Sequence, residues 1–281
     1  MDFMKKVCVS LLWKSELGCT NLSRLLRKRR VKMASWQLIH LAQRNTDLNG
    51  RHSNQRAFVV GTGPSLSNLD LSLLKGEITF GLNSLFRHSC IEQWSPTYYC
   101  INDPSWWLSD GVPGKMNEYL SEVVSSVPGS TFLVSTEAKE SVSAGQLPQD
   151  KTRFVHFSGA ADDGLFDWPR LDSALPGSKN IAQTALLEAL AMGCNPIYLI
   201  GCDHSFETLD GNWGHFYENA PKERNDREAD VESFHEFIYL LMKGYRHVRN
   251  LASSRDVQIF NATGAGRLDV FPKADFESLF K

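Results

Sequence analysis

The sequence predicts an α/β protein with a Rossmann-like, mostly parallel sheet and helices on both faces of that sheet. Short runs of β-branched and apolar residues alternate with longer stretches of helical periodicity over most of the 281 residues, and this alternation favours parallel strands joined by crossover helices. Several of the short runs end in glycine or small polar residues, as buried parallel strands do where they meet a turn. A chain of this length can bury enough surface to fold without disulfides or metals.

The individual elements follow from the same patterns. The clearest helix follows Ser178, because apolar residues from Ile181 to Leu190 share one face and Gly193 provides a C-terminal stop. Val231–Val248 is predicted as a second long helix and Leu69–Leu74 as a short one. The predicted strands are Ala57–Val60, Ile78–Leu82, Tyr98–Ile101, Thr131–Val134, Phe154–Phe157, Ile197–Ile200 and Val257–Phe260.

The first 50 residues are predicted as a basic helical extension in front of a Rossmann-like domain at 51–281. They contain ten Lys and Arg against three Asp and Glu, a balance of +7, so the rest of the chain carries −9. Residues 1–45 almost lack Gly and Pro and include the basic run Arg24–Lys32, which indicates a basic amphipathic helix on an anionic membrane surface. A solvated helical face or a partly disordered arm is the alternative. A polar linker, Asn45–Arg56, follows.

Composition indicates the class of protein. The six cysteines lack the spacing of a metal site and are interpreted as structural thiols of a cytoplasmic protein. No stretch approaches the roughly 18 apolar residues that a membrane span needs, and the apolar run Val7–Trp13 lacks a cleavage site, so secretion is not expected. Nucleic-acid binding is not expected either, because the basic residues lack interleaved aromatic platforms.

Small and polar residues follow five of the predicted strands. In a doubly wound sheet, ligands bind beyond the carboxyl ends of the strands, so these residues mark the expected binding edge. They are Gly61-Thr62-Gly63-Pro64-Ser65, Asn83, Asn102-Asp103, Gly201-Cys202-Asp203 and Asn261-Ala262-Thr263.

The turn Gly61–Leu66 is predicted to bind the phosphate-bearing end of a nucleotide. Its glycines let the backbone approach an anion, and the helix start at Pro64 would supply N–H groups and a positive dipole end. It is not a P-loop, since no Gly-Lys-Ser/Thr follows, and Leu66 replaces the third glycine of the dinucleotide fingerprint. Asn83 stands where an acid would bind an NAD ribose, and its amide suits a base or ribose edge. A plain strand–helix turn is the alternative.

Charged and titratable residues add weaker candidates. His215, in a polar glycine-containing loop, could take a proton from an acceptor hydroxyl, although a lone loop histidine is usually just solvated. Asp103 and Asp203 suit either metal ligands or helix caps. Lys222 and Arg224 suit either phosphates or a solvated charge run.

Five short blocks together resemble bacterial lipooligosaccharide sialyltransferases. The same blocks are similar to the motility-associated flagellin glycosyltransferases and to the archaeal-type 6-hydroxymethylpterin diphosphokinases (MptE-like), which share a related core. The resemblance spans roughly Ala57–Thr263. Its blocks are Phe58–Leu66, Leu82-Asn83, Ile101–Ser105, Gly177–Asp203 and Gly214-His215.

The resemblance implies an inverting glycosyltransferase whose general base is His215. Its donor would be a CMP-activated, sialic-acid-like sugar with Ser178 near it, its acceptor a glycan or protein hydroxyl, and no further cofactor is expected. The sialyltransferase tyrosines that contact the departing phosphate have no counterpart in His204–Trp213, so that role is unassigned. The predicted nucleotide-binding residues are Gly61, Thr62, Gly63, Pro64, Ser65, Asn83, Asn102, Asp103, Ser178 and Asp203.

Two alternatives stay open at this point. One is a pyrophosphokinase that acts on a pterin-like alcohol with ATP and holds Mg²⁺ through Asp103, Asp203 and phosphate oxygens. The other is a non-catalytic nucleotide-binding protein whose basic arm binds the inner face of the membrane. A requirement for Mg²⁺ separates the first alternative from the glycosyltransferase.

Overall fold

The fold was analysed in a computed structural model, which describes residues 38–103, 107, 113–157, 167–204, 216, 231–264 and 266–281. Three predictions lie outside these residues. They are the basic extension before residue 38, the general base His215, and the cationic pair Lys222 and Arg224.

The centre of the fold is an eight-stranded sheet in which every neighbouring pair is parallel. The strand order is β6-β5-β4-β3-β2-β1-β7-β8, which confirms the predicted parallel α/β class. All seven predicted strands are present, and among the described residues only the two-residue strand β6 was missed. The strands are β1 Ala57–Val60, β2 Ile78–Leu82, β3 Tyr98–Ile101, β4 Thr131–Ser135, β5 Thr152–Phe157, β6 Ala174–Leu175, β7 Ile197–Ile200 and β8 Ile259–Asn261.

Helices and 3₁₀ turns connect the strands. The α-helices of the described residues are α1 Ile39–Ala42, α2 Pro113–Ser126, α3 Lys139–Ser143, α4 Ile181–Ala191 and α5 Val231–Ser253. Of these, α4 and α5 confirm the two long helices that periodicity predicted. The 3₁₀ segments are Gln43–Leu48, Pro64–Asn68, Leu71–Leu74, Asn83–Arg87, Ser89–Glu92, Thr136–Ala138, Gln149–Lys151 and Glu277–Phe280.

The sheet buries both of its faces, because successive side chains of each strand point to opposite sides. In β1, Ala57 and Val59 join the core under α4 and α5, whereas Phe58 and Val60 join the core on the other face. Helix α4 lies between the sheet and α5 and is buried on nearly all sides. This full burial explains why its sequence is apolar around most of its circumference.

The segment predicted as a polar linker, Asn45–Arg56, packs onto the sheet instead. Leu48 is buried, and the Asn45 amide donates to two backbone carbonyls, at 2.6 Å to Phe154 and 3.1 Å to Leu171. The Asn45 side chain therefore hydrogen-bonds backbone of β5 and of the loop before β6, whereas most other polar residues of this segment are exposed. Residues 38–50, assigned to the extension, thus pack with the core. The extension itself stays a prediction.

Candidate functional site

The strand order reverses between β1 and β7, and that reversal locates the crevice where doubly wound sheets bind ligands. Two predicted turns meet there, Gly61–Gly63 after β1 and Gly201–Asp203 after β7. The amide of Gly61 donates to the Ile200 carbonyl at 2.8 Å, and that of Gly63 donates to the Gly201 carbonyl at 2.8 Å. The two segments that follow β1 and β7 thus stay hydrogen-bonded beyond the ends of the strands.

The glycines of the first turn permit this close approach. A Cβ atom on Gly61 would lie 2.4 Å from the Gly201 carbonyl oxygen, and one on Gly63 would lie 1.8 Å from Oδ2 of Asp203. Neither contact is tolerated by a real side chain. The two glycines are therefore required by the close packing of this turn against Gly201 and Asp203.

The carboxylate of Asp203 occupies the bend itself. Its Oδ2 accepts from the Ser65 hydroxyl at 2.8 Å, and its Oδ1 accepts from the Ser65 amide at 3.3 Å. Burial raises the pKa of Asp203, while the bonds from Ser65 act in the opposite direction. An anionic carboxylate in this position repels a phosphate at short range.

Protein groups therefore take up part of the phosphate cradle predicted at Gly61–Ser65. The amides of Gly61, Gly63 and Ser65 all donate within the protein. The segment behind Pro64 is a five-residue 3₁₀ helix, not an α-helix, so only a weak dipole points at the turn. The motif of small residues was recognised, but the close packing of β7 against it was not visible in the sequence. The assignment of the turn to nucleotide binding stays a prediction.

The loop after β8 closes over Asp203 from the other side. The amide of Arg267 donates to the Asp203 carbonyl at 2.7 Å, and a Cβ atom on Gly266 would lie 2.1 Å from the same oxygen. The hydroxyl of Thr263 accepts from the Cys202 amide at 3.2 Å. The polar residues after β8, expected to contact a ligand, therefore brace the end of β7.

A buried chain of hydrogen bonds joins the end of β7 to the start of α4. Asn180 caps α4 by accepting from the Gln183 amide at 2.9 Å, and its Nδ2 donates to the Tyr245 hydroxyl at 2.9 Å. That hydroxyl lies 2.7 Å from Nε2 of His204. Burial lowers the pKa of His204 to about 4, so its imidazole is neutral at pH 7. In the tautomer with the proton on Nδ1, Nε2 accepts a hydrogen bond from the tyrosine hydroxyl.

Ser178 lies at the N-terminal end of α4, where the resemblance places it near the donor sugar. Its hydroxyl donates to the Asn180 carbonyl at 3.0 Å and is also hydrogen-bonded to the Thr184 hydroxyl. Because α4 follows β6, its first turn lies at the carboxyl edge of the sheet. The first N–H groups of an α-helix have no partners within the helix, and they carry the positive end of its dipole.

Asn83 and Asn102 lie at the ends of β2 and β3, as predicted. Asn83 is half-buried, with a positive φ of 49°, which asparagine tolerates better than most residues. The Tyr99 hydroxyl donates to its carbonyl at 2.5 Å and holds this turn in place. Asn102 is buried, whereas Asp103, the next residue, is exposed.

Glu188 of α4 is the residue of this site that the sequence analysis missed. It is fully buried, its Oε1 accepts from Nδ2 of Asn102 at 2.6 Å, and its Oε2 is hydrogen-bonded to the Cys100 thiol at 3.2 Å. Burial raises the pKa of Glu188 to about 8, against the effect of these two bonds, so the carboxyl is mostly protonated at pH 7. An acid inside the apolar run Ala185–Ala191 was the available signal.

Phe216 connects the loop of His215 to this edge. Its amide donates to the Thr62 carbonyl at 3.1 Å, and its ring contacts that of His88 with centroids 5.0 Å apart. His215 precedes it in the sequence but lies outside the described residues. The predicted role of His215 is therefore not tested by these contacts.

The predicted magnesium ligands do not form a metal centre by themselves. Within the described ranges, no group of three or more His, Cys, Asp and Glu side chains could hold a metal ion. Both oxygens of Asp203 accept hydrogen bonds from Ser65, so this carboxylate fits a cation poorly. The exposed Asp103 is the better placed of the two.

Among the residues that the structure describes, no helix is both long and apolar enough to cross a bilayer.

Comparison with known proteins gives a family and a distant likeness. Two structures of the sialyltransferase CST-II match: one with a trisaccharide acceptor and CMP (11% identity, 78% of this chain and 85% of the other, TM-score 0.43), and a variant with CMP (10%, 78% and 86%, 0.44). No curated protein matches significantly. The family model described as 6-hydroxymethylpterin diphosphokinase MptE-like matches residues 37–208, so the chain belongs to the MptE-like family.

Proposed function

We propose that this protein is an inverting glycosyltransferase that transfers a sialic-acid-like sugar from a CMP-activated donor to a hydroxyl of a glycan or protein. The observation that carries the proposal is the gathering of polar groups at one sheet edge. Asn83, Asn102 and the Ser178 turn lie at that edge. Phe216, the residue after His215, is hydrogen-bonded to Thr62 in the neighbouring bend.

The phosphate of the donor would bind at the first turn of α4, not at the Gly61–Ser65 bend. Asp203 makes the bend anionic. The Asn180 cap takes the Gln183 amide of α4, which leaves the amides of Ile181 and Ala182 and the positive end of the helix dipole to attract an anion. Helix α4 has 11 residues, so its dipole is developed, and Lys179 adds a positive charge beside it. This position would also stabilise the departing phosphate, for which the sequence offered no tyrosine.

The proposed reaction is a single displacement. The acceptor hydroxyl attacks the anomeric carbon, its C–O bond forms as the bond to the phosphate oxygen breaks, and CMP departs. His215 takes the proton of the hydroxyl. General-base catalysis of this kind accelerates a reaction by about 10²–10⁴-fold. This role for His215 comes from the resemblance of Gly214-His215 to the sialyltransferases.

The test compares release of CMP from CMP-sialic acid by the wild type and by His215→Ala. We expect a rate loss of about 100-fold or more for the variant. His235→Ala is the matched control, because His235 is exposed on α5 and should not affect the rate. Equal rates for His215→Ala and the wild type would remove His215 from the mechanism.

The family description favours a second candidate, a pyrophosphokinase that transfers diphosphate from ATP to a 6-hydroxymethylpterin. In this reaction the pterin hydroxyl attacks the β-phosphorus, the bond to the α-phosphate breaks, and AMP is released. Mg²⁺ would be held by phosphate oxygens with Asp103, because Asp203 is used by Ser65. Formation of AMP that depends on Mg²⁺ and on the pterin would support this candidate over the glycosyltransferase.

A thermal-shift panel separates both enzymes from a non-catalytic nucleotide-binding protein. CMP, CDP, UDP, GDP and ATP are compared with and without Mg²⁺, because a ligand at 100 times its Kd stabilises the native state by about 2.7 kcal/mol. Stabilisation by CMP without metal supports the glycosyltransferase. Binding without turnover in either assay would favour the non-catalytic protein.

We also propose that the basic residues 1–45 bring the protein to the cytoplasmic face of the inner membrane, where lipid-linked glycan acceptors are assembled. Each basic residue near an anionic surface adds about 1 kcal/mol to binding. We expect co-sedimentation with anionic liposomes to be lost when residues 1–37 are deleted, a cut that spares the packed segment after residue 38. Unchanged co-sedimentation would contradict this proposal.

A further inference from the structure

Two buried polar atoms lie side by side at the ends of β3 and β4 and have no hydrogen-bond partner. They are Oδ1 of Asn102 and Oγ of Ser135, on residues that are 3% and 0% exposed. The register pairs Ile101 with Val134, so Asn102 and Ser135 are the next residues on adjacent strands. A buried polar atom without a partner costs about 1–3 kcal/mol. These two atoms also lie at the sheet edge where doubly wound folds bind ligands, which makes them candidates for contact with a ligand.

Both side chains face the α4 side of the sheet. Cys100 and Leu133 are paired in register and belong to the core under α4. Side chains two residues apart on a strand share a face, which assigns Asn102 and Ser135 to the same side. The contact between Asn102 and Glu188 agrees with this assignment.

Glu188 fixes which end of the Asn102 amide is available. Its Oε1 accepts from Nδ2 of Asn102 at 2.6 Å, so Oδ1 is the end left over. Oε2 lies 3.2 Å from the Cys100 sulfur. In the protonated acid Oε2 carries the proton towards that sulfur, and the carbonyl oxygen Oε1 accepts from Asn102. The ligand therefore meets an acceptor at Asn102 and, at Ser135, a hydroxyl that can donate.

We propose that Asn102 and Ser135 form a subsite for an aminopyrimidine edge and that Glu188 is the positioning residue that orients Asn102 for it. An exocyclic amino group donates to Oδ1 of Asn102, and the adjacent ring nitrogen accepts from the Ser135 hydroxyl. Cytosine, adenine and a pterin all carry such an edge, whereas uracil and hypoxanthine present a carbonyl and a ring N–H there. The proposal rests on the proposed function and defines the base that its site takes.

The distance along α4 agrees with one ligand bridging both positions. Seven residues separate Ile181, in the proposed phosphate subsite, from Glu188, which corresponds to about 10 Å of helix. Thr184, one turn before Glu188, is buried and bonded to Ser178. This separation is the span that one ligand held at both positions has to bridge.

The experiment measures calorimetric affinities of the full chain for CMP against UMP and for AMP against IMP. In at least one of these pairs, we expect the wild type to bind the nucleotide with the amino group (CMP or AMP) about tenfold or more tightly than the one with the carbonyl (UMP or IMP). The carbonyl and ring N–H of UMP or IMP would leave Asn102 and Ser135 unpaired. Glu188→Met should reduce that ratio to about one, since Asn102 can then turn its amide. Glu188→Gln keeps an acceptor for Asn102 and should keep the ratio.

Two further variants separate binding from folding. Cys100→Ala is the matched control, because it removes the other partner of Glu188 without touching Asn102, and it should keep the ratio. Ser135→Ala removes a hydroxyl that has no protein partner, so it should weaken amino-nucleotide binding about tenfold without lowering the thermal midpoint. This combination is not expected of a structural residue.

The outcomes distinguish this proposal from the proposed function. If the wild type binds CMP, and neither Glu188→Met nor Ser135→Ala changes the CMP/UMP affinity ratio, the subsite is overturned. The glycosyltransferase proposal is not affected by that result. Discrimination of AMP from IMP, with no preference for CMP, would support the subsite and remove the CMP donor. A wild type that does not discriminate within either pair, or that binds none of the four nucleotides, would overturn the subsite.

Discussion

The two halves of the carboxyl edge differ in how their polar groups are satisfied. At the crevice between β1 and β7, the carboxylate of Asp203 and the amides around it are paired within the protein. At the ends of β3 and β4, Asn102 and Ser135 each keep a buried atom without a partner. The glycine-rich turn that attracts attention in the sequence is thus the closed half. The half with unsatisfied groups joins Asn102, which belongs to a short recognised block, to Ser135, which no sequence motif marks.

The largest expected effect concerns the buried acid at the open half. Unfolded Glu ionises near 4.5, but native Glu188 keeps its proton up to a pKa of about 8, so the native state binds more protons over this range and its stability falls as pH rises. The loss is about 1.4 kcal/mol per pH unit, or about 4 kcal/mol between pH 5 and pH 8. Urea unfolding of Glu188→Gln at both pH values should show this loss removed. Cys100→Ala should retain it, and identical pH slopes for wild type and Glu188→Gln would mean that Glu188 ionises normally.

The next effect tests the closed half. Gly63→Ala places a Cβ atom 1.8 Å from Oδ2 of Asp203, so the variant should lose about 3 kcal/mol of unfolding free energy through overpacking. Gly129→Ala is the control, because a Cβ atom there meets nothing within 4 Å. In an Asp203→Ala background the cost of Gly63→Ala should fall, since the two residues are in contact. A Gly63→Ala variant as stable as Gly129→Ala would show that the crevice is open.

A third prediction concerns the buried chain of hydrogen bonds that joins His204, after β7, to the start of α4. The pKa of native His204 is lowered from 6.5 to about 4, so only the unfolded chain gains this proton as pH falls from 6.5 towards 4, and stability falls with it. Between pH 6 and pH 4.5 the loss is about 2 kcal/mol. His204→Asn cannot take up a proton and tolerates the positive φ of 48°, so its unfolding free energy should depend less on pH in this window. His235→Asn, at an exposed site, should behave as the wild type, and a His204→Asn slope equal to the wild-type slope would contradict the buried neutral imidazole.

The smallest effect compares two Ser–Asp pairs. Ser65→Ala removes the hydroxyl that donates to buried Asp203 at 2.8 Å, whereas Ser72→Ala removes one that donates to exposed Asp70 at 2.6 Å. We expect Ser65→Ala to cost about 1 kcal/mol more than Ser72→Ala, because Asp203 is then left with less compensation for its burial. Denaturation midpoints of the two variants measure this difference. Equal costs would indicate that water reaches Asp203.

The sequence patterns identified the sheet well because buried strands leave a strong local signal. The predicted bounds of β1, β2, β3 and β7 match the structure, since each strand is a short apolar run stopped by a small or polar residue. Strand β6 has two residues and carries no such signal. Helix α2 was missed because its sequence is mostly polar, so few apolar residues mark the face that it buries.

The candidate site was predicted only in part. The strand-end residues Asn83, Asn102 and Asp203 lie at one edge as expected, because parallel strands end on the same side. Which of them has a partner depends on distant residues: Glu188 is 86 positions from Asn102, and Asp203 is 138 from Ser65. No local pattern specifies such contacts.

The sequence by itself determined the fold class, the direction of the strands and the edge at which ligands are expected, because these follow from hydrophobic periodicity and from the residues that end each strand. Only the tertiary structure decided that Asp203 fills the glycine turn and that Glu188 turns the Asn102 amide. These two facts depend on how β7 packs beside β1 and α4 against β3, and such packing is a property of surfaces that meet only after folding.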